Sequence, residues 1–118
     1  MLKVVFVGDE PSSLNASPEI PFVGSRSLNL LIEYIKIIKP DYYIVVNSSA
    51  PEDIAKILVL YDQGFRIITL GQAASNRIDK LKLGEAYNLP HPSPRNRGAN
   101  NKKGLTTLLS ACAEWCRL

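Results

Sequence analysis

Four residues of this chain have side chains suited to chemistry and stand just after predicted strands: Asp9, Glu10, Asn47 and His91. Adjacent carboxylates such as the first two can orient a water molecule or stabilise a cation. An asparagine amide both donates and accepts hydrogen bonds, so it suits the edge of a nucleobase. His91 is the single histidine, and the prolines around it form a stiff turn that would aim its imidazole. Taken one at a time, the same residues also fit a solvated acidic turn, a satisfied turn amide and a structural histidine.

A basic segment follows the histidine. Arg95, Arg97, Lys102 and Lys103 lie within nine residues, interleaved with asparagine and glycine. Such a stretch can grip phosphates, and the amide groups of a helix N-terminus beyond it would help. A solvated basic loop explains the same residues equally well.

Several familiar sites do not fit the pattern. The chain has neither GxGxxG nor GK[ST] after its first strand, which argues against a nucleoside triphosphate site. A phosphoacceptor receiver domain would need a lysine after a later strand, and none stands there. A serine hydrolase could be built on Ser48 or Ser93, but no GxSxG elbow follows any predicted strand.

Composition describes an ordinary globular domain. The 118 residues are 46% hydrophobic and 21% charged, so we expect one domain over residues 1–118 with a core of its own. A net charge of +3 permits an anionic partner without requiring one. Cys112 and Cys116 have no nearby histidine, so we expect buried free thiols and no metal site. The apolar run at the N-terminus is too short for a signal peptide or a membrane span. We therefore expect a protein of the cytoplasm, or of the host cytoplasm if the chain is virus-encoded.

Strands and helices alternate along the sequence. The patterns predict four strands, at Lys3–Val7, Tyr42–Val46, Phe65–Leu70 and Ala86–Leu89. They predict helices from Ser27 to about Lys39, from Pro51 to near Gly64 and from Gln72 to about Leu81. A last helix is predicted with an apolar side made of Leu105, Leu108, Leu109, Cys112 and Trp115 or Cys116. This alternation predicts an α/β fold in which a parallel sheet carries helices on both faces. Ligands bind such sheets beyond the carboxyl ends of the strands, where the candidate residues stand.

Three segments together resemble the uracil-DNA glycosylase superfamily. Gly8-Asp9-Glu10-Pro11 matches the frame of its first motif, a Gly-x-x-Pro turn after strand one. Pro21-Phe22-Val23-Gly24 looks like the PFVG of the iron-sulfur type, and the run that begins at His91 reads HPSPRN, as in the single-strand-selective type. The resemblance implies a three-layer α/β/α fold with a four-stranded parallel sheet of order 2-1-3-4, and it covers residue 8 to about residue 97.

The resemblance also implies a role for each matching residue. Gly8 and Pro11 would shape the substrate pocket, Phe22 would stack on a flipped uracil, and Asn47 would recognise the base. His91 would donate a hydrogen bond to the departing base, and either Asp9 or Glu10 would stabilise the cationic sugar, a choice that the sequence leaves open. The residues expected to hold DNA are Pro92, Ser93, Pro94, Arg95, Arg97 and Lys102.

Departures from the family pattern narrow these expectations. The chain is about half the usual length of the family. Two cysteines cannot supply the four ligands of an iron-sulfur cluster, so we expect no cluster. We expect a monomer that acts on uracil-containing DNA without a cofactor. Ser12 stands where other members place a tyrosine that excludes thymine, which leaves thymine and 5-modified uracils possible as substrates. Two alternatives stay open: a superfamily member that binds DNA without catalysis, and an unrelated flavodoxin-like domain that binds a small nucleotide or a protein.

Overall fold

The sheet has four parallel strands. A computed structural model describes residues 1–9, 27–92 and 102–118. Within these ranges the strands are β1 (Lys3–Val7), β2 (Tyr42–Val46), β3 (Arg66–Leu70) and β4 (Ala86–Leu89), in the order β2-β1-β3-β4. All three strand pairs are parallel. The predicted parallel sheet and its order 2-1-3-4 are therefore confirmed.

Four helices of the described ranges cover the two faces of the sheet. They are α1 (Ser27–Ile38), α2 (Pro51–Asp62), α3 (Gln72–Asp79) and α4 (Lys102–Cys116). Side chains from α1 and α4 pack with β1, β3 and β4 in one buried cluster, and side chains from α2 and α3 pack with β1, β2 and β3 in the other. The architecture is therefore three-layer α/β/α.

β1 lies at the centre of both cores. Its residues alternate between the faces, with Val4 and Phe6 in the α1–α4 cluster and Val5 and Val7 in the α2–α3 cluster. All four are completely buried. An unbroken apolar run is what a parallel strand covered on both faces requires, because neither set of alternating side chains meets water.

β2 shares this apolar pattern but lies at the edge of the sheet. Tyr42, Tyr43 and Ile44 are 57%, 51% and 40% exposed, and Val46 is the one residue of β2 in a buried cluster. The edge position explains the difference, since a strand with one neighbour in the sheet has less of its surface covered.

Helix ends follow the local signals. α1 ends where Lys39 adopts a left-handed φ of 55° ahead of Pro40, which disfavours helical geometry in the residue before it. α2 begins with Pro51, followed by Glu52 and Asp53 in its first turn, where acids meet the positive end of the helix dipole. These signals place the predicted bounds within one or two residues of the observed ones.

Burial along the helices differs from the prediction at Leu108 of α4. The prediction that Leu108 belongs to the apolar side of α4 is wrong, because this side chain is 41% exposed while Leu105, Leu109 and Cys112 are buried. Only a narrow stripe of α4 meets the sheet, and Leu108 lies beside it. Tyr34 of α1 is completely buried, since it lies three residues after Leu31 and four before Ile38 on the same helical face.

The two cysteines are free and buried, as expected. Cys112 and Cys116 belong to the α1–α4 cluster, where they pack as small apolar side chains. Burial and the neighbouring Cys116 sulfur raise the pKa of the Cys112 thiol, so this group stays protonated at neutral pH. Among the described helices, none is both long enough and apolar enough to cross a membrane.

The Tyr34 hydroxyl links α1 to the segment that leads to His91, and its loss should destabilise the fold. It donates a 2.8 Å hydrogen bond to the Pro90 carbonyl, and burial raises the pKa of Tyr34 to about 12. Tyr34→Phe should lower the free energy of unfolding by about 1 kcal/mol, because the partly buried Pro90 carbonyl loses its donor. Urea unfolding measures the change. Tyr43→Phe, at an exposed edge position, should leave the midpoint unchanged, and equal effects from both variants would contradict the assignment.

Candidate functional site

The register of the sheet brings the strand ends into line at its carboxyl edge, the side at which Gly8, Asn47, Gly71 and His91 follow their strands. Val7 lies opposite Val46 on one side and Thr69 on the other. The ladder continues beyond the strands, since Gly8 N donates to Val46 O at 2.8 Å and Gly71 N donates to Leu89 O at 2.8 Å. Residues that are far apart in sequence therefore meet at one edge.

Asp9 is held there by its backbone and by its carboxylate. Its carbonyl oxygen accepts a 2.9 Å hydrogen bond from Ser48 N in the loop after β2. Its Oδ1 is buried and forms an ion pair with the Arg77 guanidinium of α3. The side chain as a whole is 35% exposed, so this exposure lies away from Oδ1. The carboxylate thus has one buried oxygen paired with Arg77, while part of the side chain remains exposed at this edge.

Ser48 ties the first two strand ends together. Its hydroxyl donates to Gly8 O at 2.7 Å, with a longer 3.3 Å approach to Asp9 O, and the residue is 2% exposed. A buried hydroxyl whose proton is committed to a backbone carbonyl is a structural link. This geometry offers no support for Ser48 as a hydrolase nucleophile.

Asn47 is a recessed amide beside this link. The residue is 6% exposed, and no hydrogen bond joins its side chain to another residue in the described ranges. A buried amide normally satisfies its donors and acceptor within the protein. One that does not is available to a ligand that presents both an acceptor and a donor.

His91 faces the same edge from the turn after β4. Burial lowers the pKa of His91, and the Asp9 carboxylate acts in the opposite direction by favouring the charged imidazole. This influence puts the two side chains within electrostatic reach of each other. Burial is the larger effect, so the imidazole is mainly neutral at pH 7.

Gly71 makes room for the histidine. It has φ +93°, and a Cβ added there would lie 3.0 Å from His91 Cβ. The Asn88 amide, oriented with its nitrogen toward β3, donates to Gly71 O at 3.0 Å and to Thr69 Oγ1 at 2.8 Å. The end of β3 is therefore fixed by β4, the strand that delivers His91.

The structure thus brings together three of the residues singled out in the sequence, Asp9, Asn47 and His91, with Gly8 beside them. Pro92 is buried, so its ring does not lie on the surface. Lys102 begins α4, but its side chain lies outside the described residues. Also outside them are Glu10, Pro11, Phe22, Ser93, Pro94, Arg95 and Arg97, whose roles stay predictions.

Arg77 is the residue that sequence reasoning missed. It stands in α3 between Asn76 and the buried Ile78, and one arginine on a helix carries no signal of its own. The role of Arg77 could be inferred only once the position of α3 relative to the sheet was known. Helical side chains tilt toward the N-terminus of their helix, and α3 begins at the carboxyl edge, so a long side chain from this position reaches back to Asp9.

Comparisons with known proteins add no relative. A scan against protein-family models finds no match to this chain, and a search of curated proteins finds none either. Within the part of the chain that the structure describes, no group of three His, Cys, Asp or Glu side chains could hold a metal ion. The site is therefore interpreted from its own geometry.

Gly71→Ala should disturb the site through both backbone strain and contact with His91. A φ of +93° is unfavourable for alanine, and strain of this kind costs about 1–3 kcal/mol. Gly84→Ala is the matched control, because Gly84 has φ +86° but open space around the added methyl group. Both should lower the urea midpoint, but Gly71→Ala should also shift the NMR signals of the His91 ring. Equal ring shifts in the two variants would contradict the contact.

The single imidazole allows a direct test of site electrostatics by NMR titration. The pKa of His91 should lie below 6.5, and Asp9→Asn should lower it further because a favourable charge is lost. Asp62→Asn, at the exposed end of α2 on the opposite edge, should leave it unchanged. Since the unfolded chain binds this proton at higher pH than the folded protein does, stability should fall as the pH drops below about 6.5. If Asp9→Asn left the His91 pKa unchanged, the Asp9 carboxylate would not interact electrostatically with the imidazole.

Proposed function

We propose that the chain is a compact uracil-DNA glycosylase that hydrolyses the N-glycosidic bond of uracil in DNA. The observation that carries the proposal is the meeting of Asp9, Asn47 and His91 at one edge of the sheet. Each comes from a different strand end, and each has the residue type that the resemblance assigns to catalysis or to base recognition. Parallel topology alone would bring residues at strand ends to this edge, so it is the types of the three residues that favour the proposal.

Recognition begins after the base leaves the stack, at a cost of a few kcal/mol that is smallest for mismatched or single-stranded bases. The Asn47 amide then pairs with O4 and N3–H of uracil, and cytosine cannot match this donor and acceptor pattern. Its recessed position, with no side-chain hydrogen bond to the residues that the structure describes, supports this role. Phe22 stacks on the base in this proposal.

Bond cleavage places negative charge on uracil O2 and positive charge on the sugar. A neutral His91 imidazole donates a hydrogen bond to O2 without transferring a full charge to the base, in the manner of an oxyanion hole. The accessible side of the Asp9 carboxylate stabilises the sugar cation and orients the attacking water. Glu10 is the alternative acid for this step.

Base release from labelled oligonucleotides tests the proposal. Substrates carry one uracil, single-stranded or opposite guanine or adenine, with thymine and hypoxanthine substrates alongside, and alkali cleaves the abasic product. We expect uracil release by the wild type, with DNA binding near normal in Asp9→Asn, Glu10→Gln and His91→Ala. At least one of these should lose about 100-fold or more in rate, the scale expected for removal of a transition-state contact. Asp62→Asn is the charge-matched control and should keep full activity.

Other outcomes assign the chain differently. Full activity in all three variants would remove these residues from the reaction. Binding to uracil or abasic DNA without release from any substrate would indicate a catalytically silent module. Absence of both release and binding would indicate an unrelated α/β domain.

A further inference from the structure

The Arg77 guanidinium joins two of the strand ends that carry the site. Its Nη1 donates to Asp9 O at 2.9 Å and to Ser48 Oγ at 3.3 Å, and it forms the ion pair with Asp9 Oδ1. One nitrogen from α3 therefore contacts the loop after β1 and the loop after β2. The second loop also contains Asn47, the neighbour of Ser48.

The Arg77–Asp9 ion pair affects the orientation of the carboxylate more than the free energy of unfolding. The side chains of Arg77 and Asp9 are 34% and 35% exposed, so solvent screens much of their attraction. Oδ1 itself is buried, however, and although it accepts no hydrogen bond it is paired with the guanidinium charge, which favours the rotation of the carboxylate that keeps this oxygen inward. The direction of the outer oxygen then follows from the anchor.

We propose that Arg77 is a positioning residue that aims the Asp9 carboxylate at the reacting sugar and keeps the loops of Asp9 and Asn47 in register. This inference rests on the proposed glycosylase function. Arg77 does not touch the substrate in this arrangement, so its whole effect on cleavage passes through Asp9 and Ser48. A displacement of about 1 Å in a catalytic group can cost about 100-fold in rate.

A double-mutant cycle on uracil release tests the proposal. The proteins are the wild type, Arg77→Met, Asp9→Asn and the double variant, and single-turnover rates with enzyme in excess keep slow variants measurable. Arg77→Met should lower the cleavage rate by about 10- to 100-fold with KM changed less than about threefold, since positioning alone is lost. In the Asp9→Asn background the same substitution should cost clearly less than in the wild type, because the part of its effect that passes through the carboxylate is already gone while the contacts with Asp9 O and Ser48 Oγ remain to be lost.

Two further variants serve as controls. Lys80→Met removes one positive charge from the exposed end of α3 and should leave both rate and KM unchanged. Arg77→Lys keeps the charge but not the planar fork, and it should recover part of the rate. Urea unfolding shows whether each variant is folded, and if Arg77→Met is not, the cycle is run with Arg77→Lys.

The outcomes distinguish failure of the positioning role of Arg77 from failure of the proposed glycosylase function. Equal losses from the Arg77 substitution in both backgrounds would overturn the positioning role, as would a rise in KM alone, which would indicate a contact with DNA phosphate. An equal loss in Lys80→Met would also overturn it, since net charge would then explain the result. No release by the wild type itself would reject the glycosylase function and this role with it.

Discussion

The site depends on the pairing of β1 with a strand on each side. Because β1 pairs in register with both β2 and β3, the backbone beyond Val7 lies level with Asn47 on one side and with the end of β3 on the other. Parallel strands place all their carboxyl ends at one edge, so every turn that leaves the sheet there adds side chains to the same region. The buried apolar run of β1 holds this arrangement, and the polar edge follows from the core beneath it.

The electrostatics of that edge involve charged and titratable groups from three segments of the chain. The Asp9 carboxylate is paired with the Arg77 guanidinium of α3 and acts electrostatically on the His91 imidazole from the turn after β4. Its inner oxygen is committed to the arginine, and its field still acts on the histidine. Burial outweighs that field and keeps the imidazole mainly neutral. The edge therefore combines a carboxylate held by an ion pair with a mainly neutral imidazole, which is the pairing that the proposed glycosidic cleavage would use.

Local sequence patterns were enough for most of the fold. The apolar run of β1, the proline and acids at the start of α2 and the residue before Pro40 each specify structure over a few residues, so their bounds could be predicted. Exposure could not be predicted in the same way. β2 has the same apolar character as β1, and only its place at the edge of the sheet leaves Tyr42 and Tyr43 half-exposed. The prediction for Leu108 was wrong for a related reason, since helical spacing does not reveal how much of the helix surface the sheet covers.

For the site, the sequence by itself determined which residue types follow β1, β2 and β4: an acid, an amide and a histidine. Strand order and register decided that these groups meet, since they are separated by tens of residues along the chain. Only the tertiary structure decided that Arg77 contacts Asp9 and Ser48, that Gly71 lies against His91, and that Asn47 is recessed. The physical reason is that motifs record local backbone geometry, whereas a contact between a helix and two loops depends on how the layers pack.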